Sequence, residues 1–153
     1  MAADADFHAR YHAKGKVYLY QIFNGSERSA LYRNFAWFVN RTLNVDRMRE
    51  AASLFTGTHD YSSFCAANCG ISNHVRTIKR VEIEQDHQDV LKVYVEADGF
   101  LKYMVRNMVG TLVEIGKGMR RPEDIGAIIA AKDRKRAGIT APSHGLFLKE
   151  VRY

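Results

Sequence analysis

Apolar positions recur along the chain with two periods, and the switches between them mark out its elements. Val17-Tyr18-Leu19-Tyr20-Gln21-Ile22-Phe23 is aromatic and β-branched and is closed by Asn24-Gly25, so it predicts a strand ending in a turn. Residues 34 to 39 predict a second, short one. From Asn44 the period lengthens: Val45, Met48, Ala52 and Phe55 fall on one helical face, Asn44 can cap the start, and Gly57 sits where the helix stops. Ile78, Val81 and Ile83, then Val90 to Ala97, predict two strands joined as a hairpin by the polar stretch from Gln85 to Asp89.

Asp98-Gly99 then opens the longest predicted helix. Its apolar stripe is Phe100/Leu101, Met104/Val105, Met108/Val109 and Leu112/Val113, with Tyr103, Arg106, Asn107 and Gly110 on the other side. A third helix carries Pro122, Glu123 and Asp124 in its first turn and Ile125, Ile128 and Ile129 on its core face. Lys132, Arg134, Lys135 and Arg136 stand near its end before Gly138. Leu146 to Tyr153, following Gly145, predicts a closing strand. These elements add up to an α+β fold, a mostly antiparallel sheet with helices packed against it. With no repeat, no low-complexity tract and no Pro/Ser linker, residues 1–153 form a single domain.

Composition narrows the class. The chain has 153 residues, 46% of them hydrophobic, enough for one core. Its 23 Lys and Arg against 17 Asp and Glu give a net charge of +6 and a pI near 9.4, which suits a polyanionic partner such as RNA. No stretch reaches the roughly 18 apolar residues of a membrane span and the N-terminus carries no apolar signal region, so a soluble, cytoplasmic protein is expected. The two cysteines, Cys65 and Cys69, are too few and too close for a secreted disulfide scaffold, and a reducing compartment fits. His59, Cys65, Cys69 and His74 lie near one another, but C-x3-C-x4-H matches no standard zinc spacing, so no metal site is expected.

Six segments, in order, go further than composition. They are Phe7-His8-Ala9-Arg10 with Lys16-Val17-Tyr18-Leu19-Tyr20; His59-Asp60-Tyr61-Ser62-Ser63-Phe64; Val75-Arg76-Thr77-Ile78; Gly99 to Gly110 with its Met104-Val105-Arg106-Asn107 core; Ala131-Lys132-Asp133-Arg134; and Thr140 to Leu148 with Gly145-Leu146-Phe147-Leu148. Together they resemble the segments FHARF…YRY, HDFSSF, VRTI, FLRHMVRNLVG, AKDR and TAPAHGLYL of the tRNA pseudouridine synthase A family, across essentially the whole chain.

The resemblance implies one half of the two-part pseudouridine synthase fold, in which two similar α+β halves join their sheets around a cleft. The implied activity is isomerisation of uridine to pseudouridine in the tRNA anticodon arm, around positions 38 to 40, with no cofactor and no metal. The base–sugar bond breaks, the uracil turns, and it rejoins through carbon, which requires the base to leave its stack.

Tyr18 matches the family's active-site tyrosine, which packs on the base and assists proton removal. Arg106 matches the arginine that pairs with the catalytic carboxylate, and Leu146 the aliphatic lining of the uracil pocket. Without the resemblance, these would read as a strand aromatic, a solvated helix arginine and a core leucine. Lys14, Lys16, Arg76, Lys79 and Arg80, with the basic set from 117 to 136, are candidate phosphate contacts, which set affinity rather than base identity. Arg134-Lys135-Arg136 by itself reads as a solvated helix end.

The family's nucleophilic aspartate lies in an RTDAGVHA segment. None of the nine aspartates here follows Arg-Thr; the two Arg-Thr pairs, Arg41-Thr42 and Arg76-Thr77, precede Leu43 and Ile78. The chain is therefore expected to be the C-terminal half, as an excised domain, a truncated product or a split-gene partner. It is expected to be inactive alone, to need the N-terminal half, to bind tRNA and to be capable of forming a homodimer. A freestanding RNA-binding module and a protein-interaction domain are the competing readings.

Overall fold

The computed structural model describes residues 14–86 and 89–153. The Phe7-His8-Ala9-Arg10 match lies outside them, as do two residues of the predicted hairpin connection. The described elements run β1 (Gly15–Phe23), β2 (Trp37–Phe38), α1 (Val45–Ser53), β3 (Gly57–Asp60), β4 (Val75–Gln85), β5 (Val90–Ala97), α2 (Met104–Gly116), α3 (Asp124–Ala131) and β6 (Leu146–Arg152). Short 3-10 turns occupy Ser62–Phe64, Arg134–Arg136 and Ser143–Gly145.

Six strands form one sheet in the order β2-β1-β5-β4-β3, with β6 also pairing to β1. Pairing is antiparallel except between β1 and β2, which bears out the expected class. β1 is the hinge of the topology. One edge pairs with β5 from Lys16 to Phe23; the other is divided, with β6 on Gly15 to Tyr20 and β2 on Ile22 and Phe23.

The hairpin β4–β5 forms as predicted, with one detail that the spacing of Ile78, Val81 and Ile83 already contains. A strict two-residue alternation cannot put both Ile78 and Val81 on one face. The register shifts between Ile78 and Arg80, so Lys79 is the extra residue of a bulge and all three apolar side chains reach the core.

That core lies between the sheet and α1 and α2. Tyr20 and Ile22 of β1, Ile78 and Val81 of β4, and Leu91, Val93 and Val95 of β5 meet Met48, Ala52 and Phe55 from α1 and its exit, and Met104, Met108, Leu112 and Ile115 from α2. Each fully buried large side chain contributes about 1.5–3 kcal/mol. Asn44 caps α1 as expected, its side chain accepting from the Arg47 N–H at 3.1 Å. The opposite face of the sheet is charged: Glu96 pairs with Arg80 at 2.9 Å and Arg152 at 3.5 Å, and Lys149 lies 5.1 Å from the Tyr94 ring centre.

Three helix expectations are corrected. The longest helix starts at Met104 rather than at Asp98-Gly99, because Tyr103 takes a left-handed conformation (φ 62°) that a continuous helix cannot contain. Its second face is not open. Asn107 and Gly110 are buried, and of its thirteen residues only Arg106 and Glu114 keep appreciable exposure. Residues 137–141 cover that face, and a Cβ on Gly110 would stand 1.6 Å from the Ile139 carbonyl oxygen, so glycine is what permits the approach. Finally, α3 stops at Ala131 with Lys132 left-handed (φ 50°), and the basic run belongs to a separate turn capped by Asp133.

Candidate active site

A buried polar network fixes the start of α2, where Arg106 lies. Asn107 donates to the Phe64 carbonyl at 2.7 Å and accepts from Thr140 at 2.6 Å and Arg134 at 3.0 Å. The Thr111 hydroxyl donates to the Asn107 carbonyl at 2.8 Å and accepts from the Gly138 N–H at 2.9 Å. Every polar group of Asn107 is engaged, so the network holds α2 rigidly against residues 134–140 rather than costing stability. Arg134, expected to be solvated, instead turns inward, and burial lowers its pKa from the ordinary arginine value.

One residue before Asn107, Arg106 is half-buried. Its Nε donates to the Ala141 carbonyl at 2.8 Å, and its guanidinium carbon lies 4.6 Å from the centre of the Tyr103 ring, with Lys102 at 5.3 Å from the same ring. No acidic side chain among the described residues forms an ion pair with Arg106. A guanidinium held by one nitrogen and a ring face leaves its outer nitrogens available for a carboxylate.

Arg106 shares a cleft of about 210 Å³ with Tyr18, Phe100, Tyr103, Met104, Ser143 and Leu146. Three separate parts of the chain meet there. Tyr18 comes from β1 and packs edge-on against Phe100, ring centres 4.9 Å apart. Leu146 opens β6, paired to Tyr20 two residues along. The approach of this last strand depends on Gly145, where a Cβ would lie 2.7 Å from the Tyr20 ring and 2.8 Å from the Gln21 carbonyl oxygen. Tyr20, beneath, donates to the Pro142 carbonyl at 2.5 Å; burial raises its pKa above the ordinary tyrosine value, and the Arg106 charge opposes that shift. The cleft thus offers a flat aromatic wall, an aliphatic wall, a phenol and a fixed cation, fit to hold a planar base beside a carboxylate supplied from elsewhere.

Lys14, Lys16, Arg76 and Lys79 gather at the same end of the sheet, since Lys16 and Ile78 both pair with Ala97, three residues before Phe100. Arg80 does not join them: Glu96 and Glu82 occupy its guanidinium, and their hydrogen bonds and charge raise its pKa. Phe100 and Tyr103 were missed as cleft residues because both lay in a stretch read as plain helix; the turn at Tyr103 exposes its ring. A second concavity, of about 260 Å³, is lined by Phe23, Arg28, Tyr32, Arg33, Trp37 and His144, a cationic and aromatic set that sequence spacing did not single out.

The cysteines also depart from expectation. Cys65 and Cys69 are joined in a disulfide, Cα atoms 6.1 Å apart, and His74 stands beside them, the ligand atoms of all three within 4.8 Å of one another. Linear spacing had argued against such a cluster; the pairing of β3 with β4 creates it by closing the loop between Asp60 and Val75. No helix among the described residues is long and apolar enough to cross a membrane.

Comparison with known proteins points to one family. Residues 51–153 match the family model described as tRNA pseudouridine synthase. The chain is 45% identical over 148 residues to a tRNA pseudouridine synthase A of Pseudothermotoga lettingae, covering 97% of this chain and 60% of that protein. It is 48% identical to the Syntrophotalea carbinolica protein of that name, covering 97% and 58%, and 46% identical to that of Geobacillus kaustophilus, covering 99% and 58%. The chain therefore spans about 60% of the length of these relatives.

Proposed function

The chain belongs to the tRNA pseudouridine synthase family, and from that membership we propose that it forms one wall of a uridine-isomerising cleft whose nucleophilic aspartate comes from a polypeptide segment outside this sequence. The carrying observation is that Tyr18, Arg106 and Leu146, from three distant parts of the chain, line one cleft of about 210 Å³.

In this reading the substrate is a uridine of the tRNA anticodon arm, around positions 38 to 40, extruded from its stack. The uracil lies between the Tyr18 ring and Leu146. Arg106 pairs with the incoming carboxylate through its outer nitrogens, keeping it ionised and aimed at the nucleotide while Ala141 holds Nε. The reaction breaks the C1′–N1 bond and forms C1′–C5; the Tyr18 hydroxyl assists departure of the C5 proton, and N1 ends protonated, so the step is a balanced isomerisation. Lys14, Lys16, Arg76 and Lys79 take tRNA phosphates. The partners are the half carrying the Arg-Thr-Asp segment, tRNA, and a second copy in a homodimer; the compartment is the cytoplasm.

The test is complementation. Alone, the chain should release no tritium from tRNA labelled at uridine C5; with an added polypeptide carrying the Arg-Thr-Asp half, it should. Turnover by the chain alone would refute a carboxylate supplied from outside, and reconstituted turnover that is indifferent to Arg106→Ala would remove that arginine from the site.

A further inference from the structure

Away from the cleft, the loop between β3 and β4 folds back on itself: the Tyr61 N–H donates to the His74 carbonyl at 3.0 Å, which brings the two ends together. Inside this closure, Asp60 Oδ1 accepts from both the backbone N–H, at 2.9 Å, and the hydroxyl of Ser62. The Ser62 Oγ also lies 2.7 Å from His74 Nδ1. Counting protons assigns the tautomer. Ser62 has one hydroxyl proton, and the carboxylate takes it, so the contact to His74 must be Nδ1–H donating to Ser62 Oγ. His74 Nε2 then carries a lone pair. That nitrogen is buried and has no hydrogen-bond partner among the described residues, and a ring nitrogen of His74 falls with the sulfurs of Cys65 and Cys69 inside 4.8 Å.

We propose that, when the two cysteines are reduced, Cys65, Cys69 and His74 form a three-ligand site for a thiophilic divalent cation, with zinc the best match. Two thiolates and an imidazole nitrogen are a zinc donor set, and tetrahedral zinc wants such atoms about 3.5–3.8 Å apart, within the compass of this cluster. The two thiolate charges neutralise the ion, which suits a site whose Cys65 is 3% exposed and packed into the core. Asp60 and Ser62 supply what metal-bound histidines ordinarily have, an outer partner on the other ring nitrogen that fixes tautomer and orientation. A water takes the fourth corner. The disulfide and the ion are alternatives: each fastens the loop, one covalently and one by coordination.

The loop so fastened supports α2. The Ala66 N–H donates to the Lys102 carbonyl at 3.0 Å, and Asn107 donates to Phe64 at 2.7 Å. The ion is structural, and the inference is independent of the pseudouridine reading.

The test begins by reducing the chain with a phosphine. The S–S bond breaks, the phosphine becomes its oxide with oxygen from water, and the two hydrogens of that water end on the thiols. After desalting without air, Zn(II) is titrated against a chromophoric chelator and Co(II) is used as a spectroscopic probe. Expected is one equivalent of Zn(II), released with re-formation of the disulfide, and a Co(II) complex with a thiolate charge-transfer band and tetrahedral visible bands. Cys69→Ser should abolish the charge-transfer signature of a two-thiolate site, and Ser62→Ala should weaken zinc about ten- to a hundred-fold by freeing the histidine ring. Cys69 is only half-buried, and the oxidised wild-type chain serves as a non-binding control that needs no mutation. Stoichiometric uptake by the oxidised chain, no uptake by the reduced one, or a Co(II) spectrum without thiolate bands would each overturn the proposal.

Discussion

Arg106 and Ala141 hold one another reciprocally: the arginine Nε donates to the Ala141 carbonyl at 2.8 Å, and the Ala141 N–H donates to the Arg106 carbonyl at 3.0 Å. The two contacts tie the first turn of α2 to the segment that leads into β6, so the cation, the helix and the strand bearing Leu146 move as one unit. Lysine in place of Arg106 keeps the charge but loses both the fixed Nε donor and the planar fork. In the complemented assay, Arg106→Lys should lower kcat by about a hundred-fold or more, comparable to the loss of a transition-state hydrogen-bond donor. Its unfolding free energy should change by less than about 1.5 kcal/mol, the net value of one hydrogen bond. An intact kcat would mean that a point charge suffices there.

Gly110→Ala should be far more damaging than an ordinary helix substitution, which at a glycine is normally stabilising by about 1 kcal/mol. The added methyl meets the Ile139 carbonyl oxygen at 1.6 Å, so the 137–141 segment must lift away from α2. Urea unfolding should show a loss of about 3 kcal/mol, at the upper end of overpacking costs, together with loss of complemented activity through the displaced Ala141 contact. A neutral or stabilised variant would contradict the close packing described.

Glu96 should make stability depend on acid. Its hydrogen bond to Arg80, with Arg152 and Lys79 adding charge, lowers its pKa from the ordinary 4.5. A group depressed in the folded state contributes stability that is fully present above its unfolded pKa and is lost as pH falls through the folded one. Stability should therefore decline below about pH 4.5 more steeply in the wild type than in Glu96→Gln, and less so at high salt, which screens the partly exposed arginines. Identical pH profiles from chemical unfolding would remove Glu96 as a source of that dependence.

Lys14, Lys16, Arg76 and Lys79 should act as phosphate contacts without base preference. In tRNA binding measured across a salt series, each change to glutamine should weaken affinity uniformly over different tRNAs. Each should also make the log–log salt slope shallower by about one. Arg80→Gln, whose charge is already committed to Glu96 and Glu82, should leave the slope unchanged and destabilise the fold instead. A slope change for Arg80 equal to that of Lys79 would reverse this assignment.

Much of the fold was legible in order and type. The strands from Val17, Ile78 and Val90, the capped helix from Asn44 and the closing strand from Leu146 are local events, set by side-chain period, turn residues and caps within about ten positions of one another. Even the bulge at Lys79 was implicit in the three-residue gap between Ile78 and Val81. Less legible were the features set by contact. Tyr103 breaks the helix although its neighbours keep helical period. Of the basic turn at Arg134–Arg136, Arg134 alone turns inward, because Asn107 and Thr140 accept from it, while Lys135 and Arg136 stay exposed. His74, fourteen residues after Asp60, reaches the two cysteines only once β3 and β4 have paired.

By itself, then, the sequence determined the elements, the basic surface chemistry and, through six ordered segments, the family. It also named Tyr18, Arg106 and Leu146 and contained no aspartate in the expected setting. Tertiary structure decided that those three residues line one cleft, because their distance apart depends on strand register at β1, on the close approaches at Gly110 and Gly145, and on the bond from Arg106 to Ala141. Periodicity records which face a residue occupies on its own element; only packing between elements records what that face meets.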